Sequence, residues 1–227
     1  MTGTKQPDCS GNPLHAQPNN KDMLRSFFSR KLTEAGCDEA GRGPIAGPVV
    51  AAAVILPKRY SNDILNDSKQ LSAKTRELLR DEIKEKAISW NVAMVDNNEI
   101  DRINILRATY KAMHLAIEGL SKKPEFILVD GNYFIPFRDI PFKTIIEGDS
   151  KFLSIAAASV LAKTYRDDYM VKLHNDYPRY GWKTNKGYPT PEHKDAVKKY
   201  GISPYHRKTF NLGDSQMDLF EKENSSE

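Results

Sequence analysis

Hydrophobic and polar positions along this chain alternate between two rhythms, one extended and one helical. From about Leu32 to Asp38 a short apolar run predicts a strand, and Val49 to Leu56 predicts a second. The second run is almost all valine, alanine and isoleucine, the signature of a strand buried on both faces. Gly43-Pro44 and Gly47-Pro48 lie between the two, so they form an opening hairpin. Ser72 suits a helix N-cap, and Leu78, Leu79, Ile83 and Ala87 recur behind it at helical spacing. Ile88 to Val95 predicts a strand containing Trp90. A short polar turn then leads to a helix over roughly Asn104 to Leu120, with Ile105, Ala108, Ala112, Leu115 and Ala116 inward. Met113 and His114 read as packing or surface residues there, not as ligands. Phe126 to Val129 is a compact strand stopping at Asp130-Gly131, and a more exposed strand, about Phe142 to Glu147, ends at Gly148-Asp149. Helical periodicity resumes from Leu153 to about Leu173, with an alanine-rich start suited to close packing on a sheet. A last helix, Glu192 to Tyr200, follows Pro189 and Pro191. Strands alternating with helices, without an internal repeat, predict a mixed α/β domain over residues 31–210.

The two ends are polar. Residues 1–30 carry Pro7, Gly11, Pro13 and Pro18 and are expected to form a disordered leader, with a short helical turn near Asp22 to Phe28. Residues 211–227 are expected to be a flexible tail. At 227 residues the chain can bury one good core, and 39% hydrophobic with 28% charged residues is ordinary for a soluble domain. The net charge of +4 matters less than its distribution. Between Gly181 and Phe210, lysine and arginine outnumber the acids seven to two, which suits a polyanionic partner or a solvated basic face. Cys9 and Cys37 offer neither a disulfide framework nor ligand spacing, so a reducing cytoplasm is the expectation. No apolar run reaches membrane-spanning length, and no signal-peptide core opens the chain.

The chemistry concentrates at strand ends. Asp38 and Glu39 run directly into Gly41-Arg42-Gly43, and Asp130 and Asp149 close two later strands. Successive residues of a strand face opposite ways, so Asp38 and Glu39 can share a centre only if the strand ends or bulges there. The glycines are expected to admit close approach to the backbone, with Arg42 placed for a phosphate. Four carboxylates in one cleft would repel one another unless cations occupied it, and oxygen ligands suit Mg²⁺ or Mn²⁺. Such ions support in-line displacement at phosphorus. The acids alone fit that chemistry and ordinary turn residues equally well. Lys186-Gly187-Tyr188-Pro189-Thr190 sets a ring on a stiff loop where it can stack on a sugar or base, or pack over the next helix. Lys151, His206 and Arg207 are candidate phosphate donors. Lys163 and Arg166 fit surface charges, and His193 fits a proton relay or a helix cap.

Together, in order, Asp38-Glu39-Ala40-Gly41-Arg42-Gly43, Asp67-Ser68-Lys69, Val129-Asp130-Gly131, Gly148-Asp149-Ser150-Lys151 with Ser154 to Ser159, Lys186 to Thr190 and His206-Arg207 resemble bacterial ribonuclease HII. The likeness runs from about Leu32 to Phe210. It implies an RNase H-like fold, a mixed central sheet flanked by helices with a helical C-terminal extension. It also implies an endonuclease that cuts the RNA strand of RNA/DNA hybrids and the 5′ side of a lone ribonucleotide in duplex DNA, leaving 3′-hydroxyl and 5′-phosphate. Asp38, Glu39, Asp130 and Asp149 would hold Mg²⁺ or Mn²⁺, two ions once substrate is bound. Gly41, Arg42 and Gly43 would read the ribose 2′-hydroxyl, and Tyr188 would stack under the sugar. The sister family, ribonuclease HIII, normally has lysine in the glycine turn and a large N-terminal domain. Arg42 and the roughly thirty residues ahead of the domain favour HII. The protein is expected to act as a monomer.

In the tail, Gln216-Met217-Asp218-Leu219-Phe220 is a small apolar island. It fits a terminal turn docking on its own domain, or a linear peptide whose Gln216, Leu219 and Phe220 fill a groove on a partner. It resembles the pentapeptide that binds the bacterial sliding clamp. Two other functions fit the bare acids: a two-metal nuclease indifferent to the 2′-hydroxyl, and a silent nucleic-acid-binding or clamp-tethered adaptor.

Overall fold

The computed structural model describes residues 24–65 and 71–210. Five strands form one sheet in the order β3-β2-β1-β4-β5. β1 (Glu34–Ala40), β2 (Val49–Ile55) and β3 (Ser89–Val95) make an antiparallel meander, while β4 (Phe126–Asp130) and β5 (Phe142–Ile145) continue the sheet in parallel from β1. The parallel crossover from β3 to β4 passes through α2 (Asn97–Ile103) and α3 (Ile105–Glu118). On the opposite face lie α1 (Ala73–Lys86) and the long α4 (Leu153–Asp176), and α5 (Trp182–Asn185) and α6 (Pro191–Tyr200) build the C-terminal region.

β2 is buried along its whole length, as its composition requires. Its odd-numbered residues, Val49, Ala51, Ala53 and Ile55, join Ala108, Ala112 and Ala116 of α3 in one core. Its even-numbered residues, Val50, Ala52 and Val54, join Leu153, Ala156 to Ala158 and Leu161 of α4 in the other. Alanine at these facing positions lets both helices approach the sheet closely. Closest of all is Gly36 on β1: a Cβ there would stand 2.2 Å from the backbone carbon of Ser154. A third cluster, with Met170, Leu173, Tyr180, Trp182 and Val197, clamps Ile45 and Ala46 of the β1–β2 connection onto the C-terminal helices. That connection carries Gly41-Arg42-Gly43, so the C-terminal region fixes the turn beside the strand-end acids.

Several local expectations change. Asp96 caps α2 by accepting from the Glu99 amide, so the polar turn expected after β3 is a helix of its own. Leu78 and Leu115 are exposed at 66% and 40%, where apolar spacing placed them inward, because α1 and α3 each bury a narrower stripe. Part of the leader belongs to the domain: Arg25 bridges Phe152, and the Phe28 ring stacks on Phe126 at 5.4 Å. Leu24 to Phe28 is therefore docked extended chain, not helix. The Ser72 cap holds, its side chain accepting from the Thr75 amide at 3.1 Å. No helix among the described residues is long and apolar enough to cross a membrane.

Replacing Gly36 with alanine must push α4 off β1, because the obstructing atoms are backbone. Overpacking of this kind costs about 1–3 kcal/mol or more. Urea unfolding of Gly36→Ala is expected to show a lower midpoint with an unchanged slope.

Candidate active site

Strand register brings the first acids together. β1 and β4 pair in parallel up to Cys37 and Val129, so the next residues, Asp38 and Asp130, stand side by side where β4 ends. β1 runs on unbulged, with Glu39 opposite Ala51 and Ala40 opposite Val50. Of the two expected alternatives, a strand end or a bulge, the structure shows the strand end, at Ala40, with Asp38 and Glu39 on opposite faces of the strand. Asp38 lies on the α4 side, where it is 5% exposed and bonds the Ser159 side chain. Glu39 lies on the α3 side. They meet as neighbours because β4 stops, leaving Glu39 beside an open strand end within the field of Asp130. Asp149 sits in a single 3₁₀ turn, Gly148–Ser150, and is 3% exposed. That turn is tied to β4, since the Gly148 amide donates to Asp130 Oδ1 at 2.6 Å.

The electrostatics follow from burial. Desolvation pushes the Asp38 carboxyl well above the usual range, and the nearby Glu39 and Asp130 charges push it further. Burial also raises Glu39, Arg42 pulls it back, and Asp130 adds to the rise. The Cys37 thiol is raised by burial first and then by Asp38 and Glu39. Buried carboxylates that repel one another are a donor set suited to a hard divalent cation. Each also has an oxygen committed elsewhere: Asp38 Oδ1 accepts from the Glu39 amide, Asp130 Oδ1 from Gly148, and Glu39 Oε1 from Arg42 at 3.3 Å. Among the described residues, no three acidic, thiol or imidazole side chains form a group that could hold a metal ion.

The opposite rim is the glycine turn and the Tyr188 loop. Gly41 has φ +96° and no room for a side chain, since a Cβ would stand 2.1 Å from Arg166 Nε. Gly43 is different: its added Cβ would meet only Tyr188 Cε1, at 3.7 Å. Only Gly43, therefore, offers a visitor the open backbone expected of both glycines. Tyr188 is 45% exposed, and its ring stands beside Gly43. Arg42 is half-exposed and pairs with Glu39. Lys151 is exposed, with its Nζ donating to the Ile146 carbonyl at 2.7 Å.

The expectation that His206 and Arg207 face a phosphate is corrected. Both are buried, at 1% and 0% exposure. Arg207 spends its guanidinium on the Gly41, Arg42 and Gly47 carbonyls. His206 Nδ1 accepts from the Ser203 amide, and its Nε2 lies 3.1 Å from His193 Nε2. Burial drives His206 down to about 3, with the His193 charge adding to the fall, so the ring is neutral. Trp182 donates to His193 Nε2, which leaves His193 Nδ1 as the donor to the Tyr188 carbonyl at 2.9 Å. His193 thus anchors the Tyr188 loop. Arg166 is buried as well and not a surface charge, whereas Lys163 is partly exposed beside Asp167. Asp67-Ser68-Lys69 and Gln216, Leu219 and Phe220 lie outside the described residues.

A family model for ribonuclease HII matches residues 35–212. The chain belongs to the ribonuclease HII family. Ribonuclease HII of Bacteroides thetaiotaomicron is 58% identical over 198 residues, covering 87% of this chain and 99% of the relative. That of Porphyromonas gingivalis is 56% identical over 188 residues, 83% of this chain and 94% of the relative. The crystal structure of ribonuclease H2 from Pyrococcus horikoshii superposes with a TM-score of 0.70 at 29% identity, covering 83% of this chain and 99% of that one. The RNase HII of Archaeoglobus fulgidus, solved in complex with PCNA, gives 0.68 at 26% identity, covering 82% and 99%. The fold is RNase H-like, and the protein is a phosphodiester hydrolase with nuclease activity of the ribonuclease HII type.

Within this ribonuclease HII site, sequence reasoning missed the roles of Ser159 and Arg166. The signal was present: Ser159, Ala162, Arg166, Met170 and Leu173 fall on one stripe of α4, at steps of three and four. An arginine on a buried stripe is a buried arginine.

A carboxylate whose pKa is raised by folding weakens the fold as pH climbs from its unfolded value towards its folded one. Asp38→Asn is therefore expected to melt higher than the unsubstituted protein at pH 7.5 in chelator, with the gap closing at pH 4. Thermal melts at the two pH values check this. Glycine substitutions separate the two turn positions: Gly41→Ala is expected to lose thermal stability, whereas Gly43→Ala folds normally and weakens duplex binding.

Proposed function

We propose that this enzyme hydrolyses the RNA strand of RNA/DNA hybrids and cuts on the 5′ side of a single ribonucleotide embedded in duplex DNA. The observation that carries this reading is two unlike features joined by the Glu39–Arg42 contact: the strand-end acids, of which Asp38 and Asp149 are buried, and the open Gly43 backbone with the exposed Tyr188 ring beside it. One suits a phosphodiester held by cations, the other a sugar. The 2′-hydroxyl is what distinguishes a ribose, and a backbone approachable at glycine is a way to bond it without a side chain in between.

The donor set fits Mg²⁺ or Mn²⁺, with Asp38, Glu39, Asp130 and Asp149 as ligands, two ions being engaged when substrate is present. Such cations supply a water activated for in-line attack on phosphorus and neutralise the charge that develops on the leaving oxygen. The chain's own residues orient the rest. Asp130 holds the Asp149 turn through the Gly148 amide. Arg42 offsets the Glu39 charge and is exposed enough to turn towards a phosphate. Tyr188 offers its face to the sugar, and Lys151 is near enough in sequence to Asp149 to contact the neighbouring backbone. Water adds to phosphorus, the bond to the 3′-oxygen breaks, and the products carry a 3′-hydroxyl and a 5′-phosphate. The excess of basic residues after Gly181 favours duplex association.

The deciding experiment compares matched duplexes that are all DNA, RNA/DNA hybrid, and DNA with one ribonucleotide, with and without divalent cation. Cleavage only of the ribose-containing duplexes, only with metal, is expected; equal cutting of the all-DNA duplex rejects the reading. Asp130→Asn is expected to lower the cleavage rate at least about 100-fold, since cation stabilisation is worth several kcal/mol, while duplex binding persists. A second proposal concerns the tail. Gln216, Leu219 and Phe220 form a clamp-binding peptide, a reading supported by the archaeal relative solved with PCNA. Retention on immobilised bacterial sliding clamp should be lost in a Leu219→Ala, Phe220→Ala double variant, and equal retention rejects it.

A further inference from the structure

Beneath the ribose-facing rim lie two buried arginines whose six hydrogen bonds all go to backbone carbonyls. Arg207 donates from Nε to the Gly47 carbonyl at 3.0 Å, from Nη1 to Arg42 at 3.0 Å and from Nη2 to Gly41 at 2.6 Å. Arg166 donates from Nε to Pro48 at 3.0 Å, from Nη1 to Lys186 at 2.9 Å and from Nη2 to Ala46 at 3.2 Å. None of these six acceptors is a carboxylate. Burial lowers Arg166 to about 10 and Arg207 to about 9, and Arg166 adds to the fall at Arg207. Two cations with 2% and 0% exposure are costly to hold near one another in a small protein interior. Their forks are satisfied because the connection from Gly41 to Pro48 turns its carbonyls inward, and the chain shape that does so depends on Gly41 at φ +96° and Gly47 at +81°. Backbone bonds complete the cage: Ile45 donates to the Gly187 carbonyl, Arg207 to Ile45, and Gly47 to Tyr205. Arg166 also joins the two halves of the rim, since its Cζ lies 6.0 Å from the Tyr188 ring centre while its donors reach both loops.

We propose that Arg166 and Arg207 are positioning residues for ribose selection, fixing the distance between the Gly43 backbone and the Tyr188 ring by anchoring both loops from below. The proposal rests on the reading that these two groups contact the sugar at the cleaved junction. A planar guanidinium holds its donors on three nitrogens in fixed directions that match three separated carbonyls; a lysine keeps the charge and three donors, but gathers them on one rotatable nitrogen. An error of 1 Å in such a site is enough to lower the rate about 100-fold.

The test uses full-length protein carrying Arg166→Lys or Arg207→Lys, each measured against the unsubstituted enzyme on a DNA duplex with one ribonucleotide. For a positioning role, saturated single-turnover cleavage falls at least about tenfold while duplex affinity changes less than about threefold, the split expected when geometry and not binding is lost. Amide exchange should accelerate at residues 41–48 and 186–188 but not at Ile127 to Val129 in the sheet. Guanidinium at millimolar concentration should restore an Arg207→Ala variant, and ammonium should not. Exchange that accelerates equally in the sheet assigns the arginines a general stabilising role and overturns the proposal, as does unchanged cleavage with unchanged loop exchange. Should the unsubstituted enzyme fail to cut the ribonucleotide duplex, the functional reading falls, and the loop exchange still decides whether the arginines anchor the rim.

Discussion

Parallel pairing of β1 with β4 forces Asp38 and Asp130 to stand side by side at the end of two buried strands, with Glu39 one step further along. Few arrangements are less comfortable for carboxylates. Asp38 is shut away from water, the Glu39 and Asp130 charges raise its proton affinity, and the Asp130 charge also raises that of Glu39. The strand register cannot relax this, because shifting β1 by one residue would turn Val- and Ala-facing positions to the wrong helix across the whole core. The fold therefore holds carboxylates close together at the end of β1 and β4, an arrangement that favours a counter-charge. Gly36 contributes from a distance: without the close approach of α4 at Ser154, Ser159 would not reach Asp38.

The other rim is governed by a different constraint, buried cations without carboxylate acceptors. Arg166 and Arg207 are accommodated by carbonyls of the β1–β2 connection, and the neutral His193–His206 pair anchors the Tyr188 carbonyl. Gly41 is required because an arginine occupies the space where its side chain would be, whereas Gly43 has room for a Cβ beside Tyr188. The two glycines of the motif are thus under different constraints, packing at Gly41 and none from packing at Gly43. His206 and Arg207, which look in the sequence like phosphate donors on a basic surface, act here as internal scaffolding.

Legibility in the sequence followed the physics of each segment. β2 and the opening of α4 announced themselves because those stretches are buried throughout, and a continuous Val/Ala/Ile run or an alanine-rich helix start has few other uses. The strand-end acids were legible for a similar reason, each closing an apolar run. What stayed hidden depended on contacts between distant segments. Nothing local to His206-Arg207 shows that the β1–β2 connection will wrap over it. That Glu39 lies beside an open strand end likewise depends on where β4 stops, in a distant part of the chain. Leu78 and Leu115 misled because helical spacing gives the direction of a face but not the width of the neighbour that covers it. α2 was missed because a seven-residue helix presents too few turns to declare a period, although its Asp96 cap was in plain view.

The most direct measurement is the titration of the Asp38 carboxyl by carbon-detected NMR, in chelator and then in saturating Mg²⁺. A pKa well above that of an ordinary aspartate in chelator, collapsing when Mg²⁺ is added, is the predicted result. An ordinary pKa in chelator, or a raised one indifferent to Mg²⁺, would contradict the claim that crowded buried acids at the end of β1 and β4 make this a cation site.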